Sequence, residues 1–303
     1  MTPESTWTDP SSAWWAKHAH AREHWERLDQ AEREYMERKP FNIKERNETG
    51  PPIVVEFEFH EVEPPPVAIS LVLGDIVHNL RSALDSLLLS IVSYDLGRQL
   101  TEDEERQCQW PICATPAEFE RFFEGKARRQ IFSTRMQGCL RYVQPFYWLE
   151  QAQKVGSATS SDLSWESEAA TDSLYVLQRL SNLDKHRRLT VTAVWPSLLY
   201  WINEAGSEPR VDWRYLKPPP WSDGDVIGRM TIESGPSPRV VQELVLVALE
   251  SPAHDHQREA HHSLTKEVDR LIDSVAMRMS MLISDYTCRT QGSDVEEPHA
   301  TSG

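Results

Sequence analysis

The sequence has little cysteine and lacks the motifs of several large enzyme classes. Its 303 residues contain 4 cysteines, too few for the disulfide framework of a small secreted domain. It has no Gly-rich phosphate-binding loop and neither the HExxH nor the GxSxG motif. These absences argue against nucleoside triphosphatases, zinc proteases and α/β-hydrolases.

Signals for export and membrane insertion are also absent from the sequence. The first residues lack the basic and apolar regions of a signal peptide. No uninterrupted apolar run approaches the roughly 20 residues that a membrane span needs. We therefore expect a cytoplasmic protein that does not contact a membrane.

Basic residues are fewer than acidic ones, 32 against 47, so the formal net charge is -15. A field of this sign repels nucleic acid at long range, so RNA binding requires a local basic patch. Lys185-His-Arg-Arg188 is such a patch. RNA is therefore a candidate partner through these four residues, whereas protein partners stay undefined and a homodimer stays open.

The apolar periodicity that is present predicts an α+β fold. Helical spacing indicates long helices from residue 11 or 12 to 39, 67–96 and 260–287, with a shorter one over 168–184. An alternating strand at 53–60 is expected to join an antiparallel sheet formed mainly by residues 188–250, arranged as a meander. We expect a disordered N-terminus at 1–10, a single domain over 11–288 and a disordered acidic tail at 289–303.

Two polar clusters stand on otherwise apolar helices. In the central helix, an apolar stripe is interrupted by a mixed polar face made of Asp75, His78, Asn79, Arg81, Ser82 and Asp85. The second cluster ends the shorter helix and comprises Asn182, Asp184, Lys185, His186, Arg187 and Arg188. Polar side chains on an apolar helix predict half-buried groups whose hydrogen bonds are satisfied by partners elsewhere.

Three interpretations of these clusters stay open. The first is a phosphate-binding site or a site of metal-independent RNA cleavage of a defence or toxin type. In the cleavage reaction, His186 and His78 move the proton of the 2′-hydroxyl, and Arg81, Arg179 and Arg187 stabilise the phosphate. The second is a metal site built from Asp75, His78, Asp85, Asp184 and His186. The third is a buried packing network without catalysis, formed by Asp75, Asn79, Ser82, Asp85, Asn182, Asp184 and Lys185.

Four segments in a fixed order resemble a group of hypothetical bacterial proteins. They are Leu73-Gly-Asp-Ile-Val-His-Asn-Leu-Arg-Ser-Ala-Leu-Asp85, Gln109-Trp-Pro-Ile112, Gln144-Pro-Phe146 and Leu180-Ser-Asn-Leu-Asp-Lys-His-Arg-Arg-Leu189. The resemblance implies no particular activity. The chain departs from that group at Ser86, where the pattern often has histidine.

A second resemblance is to HEPN domains, which are helical ribonuclease modules of bacterial toxin and defence systems. Their motif places an arginine four to six residues before a histidine, and Arg179 and His186 fit it with six residues between them. Leu180 departs from the polar residue that usually follows the arginine. The resemblance implies a metal-independent ribonuclease without a cofactor, and the alternative is a non-catalytic structural or partner-binding protein.

Overall fold

The computed structural model describes 13 segments of the chain. They are residues 6–48, 52–61, 63–154, 164–165, 169–184, 189, 191–194, 201–202, 210–217, 221–234, 239–240, 245–248 and 263–292. Within them lie nine helices: α1 Ala13–Glu37, α2 Val67–Leu96, α3 Glu102–Gln107, α4 Pro116–Phe122, α5 Lys126–Ile131, α6 Thr134–Tyr142, α7 Tyr147–Lys154, α8 Ser173–Asp184 and α9 Leu264–Gly292.

Eight strands complete the described elements and confirm the α+β class. They are β1 Phe41–Glu48, β2 Ile53–Glu61, β3 Val191–Val194, β4 Trp201–Ile202, β5 Arg210–Tyr215, β6 Val226–Ser234, β7 Arg239–Val240 and β8 Val245–Ala248. A four-stranded antiparallel sheet has the order β1-β2-β6-β5. The strand predicted near residues 53–60 does join strands from the 188–250 region, since β2 pairs with β6.

The predicted meander is wrong. Strand β3 pairs with β8 and β4 pairs with β7, so strands distant in sequence are neighbours. Strand β1 was not predicted at all. After Phe41 and Ile43 its residues are polar or charged. This composition suits an edge strand, which solvates one side of its backbone, but it hides the alternation that identifies a strand.

The described residues group into two compact units. The first draws on Met1–Glu23, Ile76–Ser181 and Arg270–Gly303, and the second on His24–Asp75 and Asn182–Asp269. In the first unit the His18 ring lies 2.9 Å from the Ile272 carbonyl, and in the second the Trp25 indole donates to the Thr265 carbonyl. Both contacts show that the N-terminal helix α1 packs against the C-terminal helix α9. The single-domain assignment of residues 11–288 stays a prediction.

The ends of the chain differ from the predicted disorder where the structure describes them. Trp7 is only 3% exposed, its indole donates to Ser90 Oγ at 3.2 Å, and its carbonyl accepts from the indoles of Trp14 and Trp15. A buried aromatic ring with satisfied polar groups holds this part of the N-terminus in place. At the other end, α9 continues to Gly292, into the predicted tail.

Helix α2 is the apolar core helix that its periodicity predicts. The predicted stripe is buried throughout: Leu73, Ile76, Val77, Leu80, Leu84, Leu87 and Ile91. By length and composition alone, α2 could also cross a membrane, which corrects the expectation that no segment has these properties. Half of the relevant window is buried inside the protein. Since the core helix of a globular protein meets the same criterion, location stays a prediction.

Glu32 on α1 caps the first turn of α9 within the second unit. It is 6% exposed, and its carboxylate accepts a hydrogen bond from the Thr265 backbone N–H at 3.1 Å. Burial raises the pKa of Glu32 above its ordinary value of 4.5, while the hydrogen bonds from Thr265 oppose the shift. The unfolded chain therefore ionises this group at lower pH than the folded chain does.

The capping contact predicts a pH-dependent effect of Glu32→Gln. A carboxyl group with a raised folded-state pKa lowers stability as pH increases from its unfolded pKa through its folded pKa. Glutamine keeps an acceptor but has no charge to bury. We expect the unfolding free energy of Glu32→Gln, relative to the parent, to increase as the pH rises above the unfolded-state pKa of about 4.3 in urea titrations. The exposed Glu26→Gln on the same helix is the control, and an equal slope in both variants would contradict the prediction.

Candidate functional site

The polar face of α2 divides into exposed and half-buried side chains. Arg81, Ser82 and Asp85 are half-buried, as predicted, but Asp75 and His78 are exposed. His78 forms no hydrogen bond or ion pair within the described part of the chain. His78 and His186 were predicted to act in one site, and the structure places His78 at the solvent-exposed surface.

Arg81 is the centre of the half-buried part. Its side chain is 14% exposed and donates to the Gln178 side chain at 2.9 Å and to the Trp110 carbonyl at 2.6 Å. It also lies 3.3 Å from the carboxylate of Asp85, one turn further along α2. Burial lowers the pKa of the guanidinium, and the charge of Asp85 opposes this effect. Protein groups thus occupy both Nη atoms of this arginine.

Asp85 binds the backbone of Trp110 together with Arg81. Its Oδ1 accepts a hydrogen bond from the Trp110 N–H at 2.8 Å. One turn of α2 therefore binds both the N–H and the C=O of the same residue, the first through Asp85 and the second through Arg81. Trp110 itself is fully buried. Charged groups make stronger hydrogen bonds than neutral ones, so this pairing fixes the position of the backbone there.

Gln144 binds the same stretch of chain, which we call segment 108–113, from the opposite end. Its Oε1 accepts from the Cys113 N–H at 3.0 Å, and its Nε2 donates to the carbonyls of Pro111 at 2.9 Å and Leu140 at 3.0 Å. Its exposed fraction is 0%. Segment 108–113 belongs to no helix or strand, so these side chains satisfy backbone groups that secondary structure does not.

The residues of α8 contribute differently from the prediction. Gln178 contacts Arg81, whereas Arg179 is exposed and forms no ion pair within the segments that the structure describes. Asn182 is exposed and Asp184 is half-buried. A Cβ atom added to Gly74 would lie 2.8 Å from Asp184 Oδ1, so glycine permits this close approach within the second unit. Lys185, His186, Arg187 and Arg188 lie outside the described residues.

The geometry gives no support to a metal site in the described segments. Among their side chains, no group of three or more histidine, cysteine, aspartate or glutamate residues could hold a metal ion. This set includes Asp75, His78, Asp85 and Asp184, while the fifth proposed ligand, His186, lies outside it. Burial raises the pKa of the Cys108 and Cys113 thiols to about 12, which disfavours the thiolate that zinc requires.

Two contributors to the arrangement were not predicted as site residues. No sequence pattern predicts the contact of Gln178 with Arg81, because a lone glutamine on a helix is ordinarily solvated. Gln144 had a usable signal, since an amide between Val143 and Pro145-Phe146 interrupts an apolar stretch. Such an interruption predicts a buried amide that binds backbone groups.

Comparison of the chain with protein-family models, with curated proteins and with solved structures gives no match. The resemblances to hypothetical bacterial proteins and to HEPN domains therefore stay predictions.

The geometry predicts that Gln144→Leu is strongly destabilising. Leucine removes the partners of the Cys113 N–H and the Pro111 C=O without emptying the site, and each buried group left unsatisfied costs about 1–3 kcal/mol. We expect an unfolding free energy lower by about 2 kcal/mol or more, measured by denaturant titration. The exposed His78→Ala should change it by less than about 0.5 kcal/mol. Equal effects of the two substitutions would contradict the assignment.

Proposed function

We propose that the protein is a non-catalytic, partner-binding protein in which Arg81 and Asp85 of α2 form a packing network. One observation carries this proposal: Arg81 is bound by Gln178, Trp110 and Asp85, so its guanidinium is not available to a substrate phosphate. A catalytic arginine must direct its donors at the reacting group. Here the donors are directed at protein atoms.

An aromatic patch on the first unit supports the partner-binding part of the proposal. Trp148 is 62% exposed, and its ring centroid lies 6.0 Å from that of Tyr147, which is 5.1 Å from Tyr142. Between these residues Gln144 and Phe146 are buried, so the chain that carries the patch is fixed to the core. Tyrosine and tryptophan are enriched at the centres of protein interfaces because they bury large areas at low entropic cost.

Charge indicates the chemistry of the partner. The net charge of -15 repels acidic partners and speeds association with basic ones. We therefore infer a protein partner that combines an apolar pocket, to receive Trp148, with a basic rim.

Substitution of Trp148 tests this function. A photoreactive amino acid at position 148 identifies the partner in the cells that make the protein, and calorimetry with the purified partner then measures affinity. We expect Trp148→Ala to weaken binding by about 2 kcal/mol, roughly 30-fold, with little change in stability. Met277→Ala is the control, since Met277 is also an exposed apolar residue of this unit. Unchanged affinity of Trp148→Ala would contradict the proposal.

A second candidate function is metal-independent RNA cleavage of the HEPN type, favoured by the exposure of Arg179. Its guanidinium has no ion-pair partner in the described segments and lies seven positions before His186. In this proposal Arg179 and the basic residues at 185–188 bind RNA phosphates, and His186 moves the proton.

Cleavage of RNA in the presence of a chelator tests the second candidate. We expect activity in the parent that is lost in both Arg179→Ala and His186→Ala, with Arg121→Ala as an exposed arginine control. Absence of cleavage in the parent, or equal cleavage in all variants, would eliminate the ribonuclease function and leave partner binding.

A further inference from the structure

In the first unit, Lys17 on α1 contacts Ser82 and Ser86 on α2, and these three residues form a polar cluster of their own. The Lys17 ammonium is 2.7 Å from Ser82 Oγ and 2.6 Å from Ser86 Oγ. The two serines are one helical turn apart on α2, and all three side chains are half-buried. None of them contacts Arg81, Gln144 or segment 108–113 through a hydrogen bond in the described structure.

Lys17 has no carboxylate partner within the described residues, in contrast to two arginines of the same helix. Arg22 pairs with Asp273 at 2.6 Å, and Arg33 pairs with Asp29 at 2.9 Å. A chain with 47 acidic residues readily supplies such partners. Among the described residues this half-buried ammonium is held by two neutral hydroxyl groups, so its positive charge is available to pair with an anionic ligand.

The hydrogen-bonding capacity of the cluster favours an anion. The ammonium has three N–H donors and uses two of them on the serines. Each serine oxygen accepts from Lys17, so each hydroxyl hydrogen is free to be donated elsewhere. The cluster therefore has three hydrogen atoms left to donate and carries one positive charge.

We propose that Lys17, Ser82 and Ser86 form a binding site for a phosphoryl group. A phosphoryl group carries three strong acceptor oxygens and between one and two negative charges at neutral pH, which match the three donors and the ammonium. A carboxylate has two oxygens and one charge, so two of the three donors would have to share one oxygen. The proposal is independent of the proposed partner-binding function, because it includes no residue of the aromatic patch or of the Arg81 network.

Calorimetric titration of the full chain with inorganic phosphate, glycerol phosphate and acetate tests the site at constant ionic strength. We expect saturable phosphoryl binding with a Kd of roughly 1 mM or tighter, and weaker binding of acetate. Removal of a charged hydrogen bond predicts a loss of about tenfold or more in Lys17→Gln. The exposed Lys126→Gln carries the same change in charge and should bind as the parent does.

The two phosphoryl probes distinguish a free phosphate site from a phosphomonoester site, and tighter binding of either supports the proposal. Acetate binding as tight as phosphate binding, no saturable binding at all, or full affinity in Lys17→Gln would each overturn it. If Lys17→Gln does not fold, the Ser82→Ala/Ser86→Ala double variant is titrated instead. We expect it to lose about tenfold or more in phosphoryl affinity. Full affinity in this double variant would overturn the proposal.

Discussion

The first unit depends on the hydrogen bonds that Arg81 and Asp85 form with the backbone of Trp110. Segment 108–113 belongs to no helix or strand, yet Cys108, Trp110, Pro111 and Cys113 in it are buried. Buried backbone groups must be paired, and an unpaired group costs as much as a lost hydrogen bond. Two charged side chains one turn apart on α2 supply a donor and an acceptor to a single residue, and Gln144 supplies both to its neighbours.

This constraint explains why charged residues interrupt an otherwise apolar core helix. An isolated ion pair at half-buried positions contributes little to stability, because the desolvation cost offsets the attraction. The pair stabilises the protein because it forms hydrogen bonds with the N–H and C=O of Trp110, which have no other partner among the described residues. In the described structure these two side chains are directed at protein atoms. Two other features of the first unit lie outside this network: the exposed ring of Trp148 and the half-buried ammonium of Lys17.

The sequence was sufficient to predict the elements whose periodicity is strong. The long helices, the buried stripe of α2 and the pairing of the strand at 53–60 with later strands follow from the spacing of apolar residues. Strand β1 was missed because its edge position allows charged residues. The strand partners within residues 191–248 were mistaken because alternation identifies a strand but not its neighbour.

The site could be predicted only in part, because hydrogen-bond partners distant in sequence leave no local pattern. Half-burial of Arg81 and Asp85 followed from their position on an apolar helix. Their shared partner, 25 to 29 residues away, did not. Lys17 was overlooked for the same reason, since a lysine on an amphipathic helix resembles every solvated lysine. His78 was expected to be half-buried with the rest of the polar face of α2 but is exposed, because helical spacing alone does not locate the edge of a buried face.

Hydrogen exchange at the backbone amides of Trp110 and Cys113 tests the central claim most directly. If Asp85 and Gln144 bind these two N–H groups in the core, both should exchange only through openings whose free energy approaches that of global unfolding. In Asp85→Ala, protection should fall at Trp110 and persist at Cys113. Exchange of either amide in the parent at rates typical of exposed loops would contradict the account.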